Sequence, residues 1–244
     1  MIDVRAVWKG FNGFQVLKGI DLQMKAGTTT VVLGGSGSGK TVLMKHVMGL
    51  FKPDQGEVIV DGENVSVMSR QQLAIFRQRM GMVFQNAALF DSMTVGENVA
   101  FPLREHTKMS DDEIVAKVKE KLAVVDLYNV EHKFPAELSG GMRKRVGLAR
   151  AIIRDPKIVL YDEPTTGLDP LTTESVDQMI LGARAKLGVT SLVISHDIGS
   201  AFHIADHIAM LHHGVIVAQG TPAELRNTTE PHTREFLATW FARQ

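Results

Sequence analysis

Cysteine is absent from all 244 residues. Disulfides and thiolate metal sites are therefore excluded, and the composition fits a reducing compartment. An excess of charge of one sign is also missing. The chain has 27 Lys and Arg against 27 Asp and Glu, and a sequence pI of about 7.1. Bulk attraction to nucleic acid or an anionic bilayer is thus not its design. No apolar run approaches the roughly 18–20 residues that span a bilayer. The opening MIDVRAVWKGF carries Asp3, Arg5 and Lys9, with no apolar signal-peptide stretch. The expectation is a soluble, intracellular chain that works at a membrane only by docking on another protein. What is present is ordinary globular composition, 44% hydrophobic and 22% charged, ample for one large α/β domain.

Strand and helix patterns alternate along the chain. Strands are expected around Val4–Val7, Val16–Met24, 28–33, 56–61 and Gly81–Phe84, with helices over Thr41–Leu50 and Met68–Arg79. From Asn86 to about Lys133 the pattern is helical and less regular. Its clearest helix starts at Ser110, with Glu113 in capping-box position. A helix over Gly140–Arg154 follows, then strand Ile158–Tyr161, helix Thr172–Leu187, strand Thr190–Ser195 and helix Ile198–Ala205. Ile208–Leu211 and Val215–Ala218 read as a hairpin, and Thr221-Pro222 opens a capped helix. Pro231–Gln244 (PHTREFLATWFARQ) reads as an amphipathic helix that packs on its own domain or on a partner. Such alternation argues for a mostly parallel sheet with helices on both faces. Residues 1–85 and 156–244 read as the core, and about 86–155 as an inserted helical subdomain.

Residues 34–41, GGSGSGKT, stand directly behind Thr28–Leu33 and open a helix. They fit G-x-x-x-x-G-K-[ST] in the strand–loop–helix context that this phosphate loop requires. Gly34, Gly35, Gly37 and Gly39, with Ser36 and Ser38, let backbone N–H groups approach phosphate oxygens without a Cβ in the way. The helix N-terminus adds free N–H groups and a positive dipole end. Lys40 supplies a cation for the β- and γ-phosphates, and the Thr41 hydroxyl is a hard ligand for Mg²⁺.

Residues 158–163, IVLYDE, end a strand on two carboxylates. Because successive strand side chains face opposite ways, Asp162 and Glu163 can take different roles. Asp162 would hold Mg²⁺, and Glu163 would polarise the water that attacks the γ-phosphate. A third element is LSGGM at 138–142, where Ser139 occupies an N-cap position and Gly140 and Gly141 open the helix. One nucleotide does not need two such anion sites in one chain. Arg143-Lys144-Arg145 reads as a solvated helix face.

Together these stretches resemble the ATP-binding cassette (ABC) ATPases over essentially the whole chain. LSGGM resembles their LSGGQ signature, Gln85 their Q-loop, TGLD (Thr166–Asp169) their D-loop and His196 their switch histidine. Phe11, or alternatively Trp8, sits where an aromatic ring stacks on adenine. The resemblance implies a P-loop NTPase fold, with a RecA-like parallel core, an N-terminal antiparallel β subdomain and a helical subdomain. It also implies a head-to-tail pair of copies in which Ser139, Gly140 and Gly141 act in trans on ATP held by the other phosphate loop, with Asp169 at the D-loop. Gln85 would join Thr41 and Asp162 near Mg²⁺. Three residues depart from the family pattern: Met142 replaces Gln, Asn12 stands where Gly is common, and Gly35 replaces a frequent Pro.

The stretches ALFDSMTVGENVAFPLREHT and LSGGMRKRVGLARAI resemble the ATPase subunits of Mla-type, MCE-associated phospholipid transporters. That likeness implies a peripheral protein on the cytoplasmic face of the bacterial inner membrane. Its partners would be a permease, an MCE-domain protein and a small STAS-domain protein, with no nucleic acid and no direct lipid contact. Ala87, Ala88, Leu89, Phe90 and Met93 would form the permease-docking groove, or simply subdomain core. Alternative readings are an ABC ATPase for another cargo, such as a solvent or amino acid, and a soluble ABC protein. No N-K-x-D motif supports a GTPase.

Overall fold

The structure is a computed structural model and describes residues 1–241. β1 (Ile2–Phe11) and β2 (Phe14–Met24) form an antiparallel hairpin across Asn12-Gly13. Both turn residues have positive φ, 49° and 80°, the pattern of a type I′ turn that Asn-Gly favours. Asn12 is thus explained by the turn. Next come β3 (Thr29–Leu33), α1 (Lys40–Val47), β4 (Gln55–Val60), β5 (Glu63–Asn64) and α2 (Arg70–Arg77). They are followed by β6 (Met80–Val83), α3 (Val95–His106), α4 (Asp111–Val124), α5 (Gly140–Ile152), β7 (Ile158–Asp162) and α6 (Pro170–Leu187). The last elements are β8 (Thr190–Ser195), α7 (Ile198–Ile204), β9 (His207–His212), β10 (Val215–Gly220), α8 (Pro222–Arg226) and α9 (Pro231–Phe241). Among the described residues no helix is long and apolar enough to cross a membrane.

The chain divides into two compact units: Met1–Gln78 with the residues from Thr190 onward, and Arg79–Val189. In the first, β2, β1, β4 and β5 form an antiparallel sheet in that order. β3 lies between β8 and β9, parallel to both, and β10 pairs antiparallel with β9. All five residues of β3 are buried, as expected for a parallel strand covered on both faces. Leu33 pairs with Ser195, so Gly34 and His196 leave neighbouring strands at the same edge. Trp240 and Phe241 of α9 pack on Phe202 of α7, with ring centroids 6.3 and 5.6 Å apart. The C-terminal helix therefore packs on its own chain; residues 242–244 of the expected helix lie outside the described residues.

In the second unit β6 and β7 are parallel, with Val83 opposite Tyr161. Gln85 and Glu163, which follow them, and Asp162, the last residue of β7, again emerge at one edge. The stretch expected to be less regular holds two well-formed helices. α3 opens with a capping box from Thr94 and Glu97, and α4 with one from Ser110 and Glu113. Asn98 on α3 is wholly buried. It accepts from Phe90 N–H and donates to the carbonyls of Phe90, Met93 and Thr94, which fixes the loop before the helix.

A Cβ at Gly81 of β6 would lie 2.5 Å from the Ala151 carbonyl oxygen of α5, whereas one at Gly182 of α6 would meet nothing within 4 Å. Gly81→Ala is expected to destabilise the protein by about 1–3 kcal/mol through overpacking. Gly182→Ala should stabilise it by about 0.5–1 kcal/mol, because alanine is the better helix former. Urea unfolding of the two variants checks the opposite signs.

Candidate active site

The phosphate loop is shaped by close approach of backbone. A Cβ at Gly34 would sit 2.3 Å from the Leu211 carbonyl oxygen of β9. Gly37 and Gly39 have φ of 75° and 111°, and a Cβ on Gly39 would also lie 2.9 Å from Leu17 Cδ2. A Cβ at Gly35 would meet nothing within 4 Å, so glycine is not demanded there by packing among the described residues. Lys40 is buried, and its ammonium donates to the carbonyls of Gly34 at 2.8 Å and Gly35 at 3.0 Å. No side chain caps α1, and no acidic residue stands in its first turn. The Ser38 hydroxyl is buried without a hydrogen-bond partner. A phosphate group would satisfy both the orphaned hydroxyl and the open helix N-terminus. Thr41 is exposed at the head of α1.

His196 is exposed just past β8. Its neighbours perform the local capping: Ser195 Oγ accepts from Asp197 N–H at 2.9 Å, and Asp197 caps α7 by accepting from Ser200 N–H at 3.1 Å. Phe11 and Trp8 are nearly equally exposed, at 37% and 36%. Trp8 lies over Gly19, where a Cβ would come 3.2 Å from the indole Nε1. Phe11 meets Phe51 edge-on at 5.3 Å.

In the second unit Asp162 ends β7, but Glu163 does not continue the strand alternation expected for it. Its φ is 49°, a left-handed conformation uncommon for a residue with a Cβ. The Thr166 hydroxyl donates to Glu163 Oε2 at 3.1 Å. Gln85, Ala87, Gly140, Lys144, Thr166 and Leu168 line one cavity of about 440 Å³. The Q-loop position, the signature and the stretch before Asp169 thus converge within this unit. Asp169 caps α6, accepting from Leu171 and Thr172 N–H, and the Thr172 hydroxyl holds its carboxyl below the usual range. Ser139 caps α5, accepting from Met142 N–H at 3.2 Å.

Arg143-Lys144-Arg145 is a solvated face only in part: Arg143 is exposed and Arg145 half-buried. Lys144 is buried, its ammonium donates to the Pro164 carbonyl, and burial pushes its pKa down. Arg143 donates to the Leu138 carbonyl, and Arg145 to the Val125 carbonyl and Ser175 Oγ. Nor are Ala87, Ala88, Leu89, Phe90 and Met93 alike. Ala87 is core, Ala88 and Phe90 are exposed, and Leu89 and Met93 are half-buried. The sequence reading missed Arg150, which bonds the carbonyls of Ala87 and Ala88. The available signal was a cation inside the helical register of Val146, Ala149 and Ile153, where burial demands partners.

Residues 17–166 match the family model described as ABC transporter. The chain belongs to the ABC transporter family. It is 43% identical over 236 residues to the "Probable ribonucleotide transport ATP-binding protein mkl" of Mycobacterium tuberculosis, covering 97% of this chain and 66% of that protein. The chain thus spans just under two thirds of that relative's length. It is 40% identical over 237 residues to the intermembrane phospholipid transport system ATP-binding protein MlaF of Escherichia coli, covering 97% of this chain and 88% of that one. Among solved structures, the dimeric ATP-binding cassette MJ0796 in a post-hydrolysis state with ADP and Pi superposes with a TM-score of 0.81 and 31% identity, over 91% of this chain and 99% of that chain.

Glycines in this ABC chain answer to two different demands. Gly34 is required by the fold itself. A Cβ at Gly140 would meet nothing closer than 3.9 Å and one at Gly141 nothing closer than 3.6 Å, which are ordinary contacts. Gly34→Ala is therefore expected to abolish ATP binding, while Gly35→Ala keeps the affinity within about twofold. Isothermal titration calorimetry with ATP distinguishes the two.

Proposed function

We propose that this chain binds ATP on Gly34–Thr41 and hydrolyses it as half of a head-to-tail pair, driving a permease that moves phospholipid between bacterial membranes. The observation that carries the paired arrangement is the signature glycines. Gly140 and Gly141 open α5 at an N-cap, yet among the described residues no contact demands glycine there. Close approach by a second copy's nucleotide is the demand that remains. The solved cassette with ADP and Pi is likewise dimeric.

In this reading the phosphate loop and Lys40 hold the phosphates, and Phe11 stacks on adenine. Thr41 and Asp162 offer hard oxygens to Mg²⁺, which when bound supplies positive charge against the phosphate oxygens. Gln85, which follows β6, is assigned to the same ion by its Q-loop position. Glu163 takes the proton of the attacking water, with Thr166 orienting its carboxylate. His196 senses the γ-phosphate, and Ser139, Gly140 and Gly141 with Asp169 act across the pair. The phospholipid cargo rests on the likeness to the Escherichia coli protein of that name. Peripheral attachment at the cytoplasmic face of the inner membrane, beside a permease, an MCE-domain protein and a STAS-domain protein, rests on the resemblance of ALFDSMTVGENVAFPLREHT and LSGGMRKRVGLARAI alone. The name of the mycobacterial relative favours a second cargo, ribonucleotides.

Glu163→Gln is expected to bind ATP normally, to lose at least about 100-fold in kcat, and to elute as a dimer with ATP on gel filtration. Turnover near wild type would remove Glu163 from the base role. Lys40→Ala should lose ATP affinity by calorimetry. Affinity capture from gently solubilised host membranes tests the cargo. A permease with an MCE-domain protein supports phospholipid, and a nucleotide permease transfers the chain to the second reading.

A further inference from the structure

Ala87 and Ala88 both occupy the left-handed region, with φ of 59° and 48°. Two consecutive residues with a Cβ do not settle there unaided. Ala87 N–H donates to the Phe84 carbonyl at 2.9 Å, and the remaining hold comes from α5. Arg150 Nη2 donates to the Ala87 carbonyl at 2.7 Å and Nη1 to the Ala88 carbonyl at 2.8 Å. The guanidinium is a rigid fork, so it fixes the two carbonyls relative to each other as well as to the helix. The Phe90 ring lies 5.9 Å from the guanidinium carbon. One turn earlier on α5, Gly147 makes room: a Cβ there would come 3.2 Å from Ala87 Cβ. Burial lowers the Arg150 pKa, the mark of a cation drawn out of water for these contacts.

Gln85 stands two residues before this turn and lines the same cavity as Ala87 and Gly140. We propose that Arg150 is the positioning residue of Gln85: its fork holds Ala87-Ala88 in the strained turn, and the turn sets where Gln85 leaves β6. In this role Arg150 acts through the backbone carbonyls of Ala87 and Ala88. With the fork intact the segment has one arrangement. Without it, both alanines relax toward negative φ, and Gln85 moves with them. The link to turnover rests on the assignment of Gln85 to the metal-bound nucleotide; the link to the turn does not.

The test uses the full chain and Arg150→Lys, which keeps the charge but replaces the fork by a single ammonium. Hydrogen exchange should become at least about tenfold faster over residues 86–90 and stay unchanged in β3. In the same variant kcat should fall at least about tenfold, with ATP affinity within about twofold of wild type. Adding Ala87→Gly and Ala88→Gly should restore both, because glycine adopts positive φ without the fork. Unchanged exchange over 86–90 overturns the proposal, as does ATP affinity lost in step with turnover. If Arg150→Lys alone does not fold, a folded triple variant supports the proposal and an unfolded one overturns it. Gln85→Ala is measured alongside. Wild-type turnover there removes the Gln85 assignment, and exchange over 86–90 then decides the role of Arg150 by itself.

Discussion

Cationic side chains of one helix, directed at main-chain carbonyls, set the geometry of residues 79–189. Arg143 bonds the Leu138 carbonyl, Lys144 that of Pro164, Arg145 that of Val125, and Arg150 those of Ala87 and Ala88. A carboxylate partner could follow the cation by changing rotamer; a carbonyl moves only with its backbone. Each bond, worth about 1.5–3 kcal/mol where the donor is charged, therefore fixes a loop rather than a side chain. The loops so fixed carry the start of the signature, the turn after Glu163 and the segment after Gln85. Their common reference is α5, whose own start is set by the Ser139 cap.

Residues around the phosphate loop are held by a different kind of constraint. There the fold works through missing Cβ atoms. Gly34 lies against the Leu211 carbonyl. Gly214, in the β9–β10 turn, lies against the Val16 carbonyl, where a Cβ would come to 2.2 Å. Gly214 N–H also donates to the Ser38 carbonyl, and Lys18 N–H to the Gly214 carbonyl. The hairpin is thus the back wall of the loop, joined to it through main-chain groups. Lys40 completes the arrangement by bonding two carbonyls of its own loop. Side-chain substitutions on the hairpin should matter less to the loop than any change in its path.

These two modes differ in how far they can be read from sequence. The strand–loop–helix around GGSGSGKT was legible because that motif demands fixed residue types at fixed spacing, behind a buried strand. The Ser139 and Ser110 caps were legible for the same reason, and the Asn12-Gly13 turn could have been. The cations of α5 were not. Charged residues on a helix read by default as a solvated face, and their carbonyl partners lie far off in sequence. Lys144 is 20 residues from Pro164, and Arg150 is 62 from Ala88. The turn at Ala87-Ala88 left no trace, since alanine carries no preference for positive φ. Element ends moved by a few residues where a cap decided them: Asp169 starts α6 at Pro170, two residues before the periodic pattern suggested. The Thr94 and Glu97 box was present in the sequence, but the apolar pattern around it is less regular than that of α4.

The two helix starts to which the proposed function assigns anions are not equivalent, and that function makes sense of the difference. α1 opens on Gly39 with no side-chain cap, so its first-turn N–H groups have no competitor for a phosphate. α5 opens on Ser139, whose hydroxyl already accepts from Met142 N–H. That cap satisfies one donor before any ligand arrives, and Met142 offers no amide where the family pattern has Gln. The first site thus suits an anion held throughout the cycle. The second suits one that it gains and gives up, because its unliganded state is already partly satisfied. A clamp that must reopen after hydrolysis needs that asymmetry: two equally open helix ends would hold the pair shut as firmly as they hold the nucleotide.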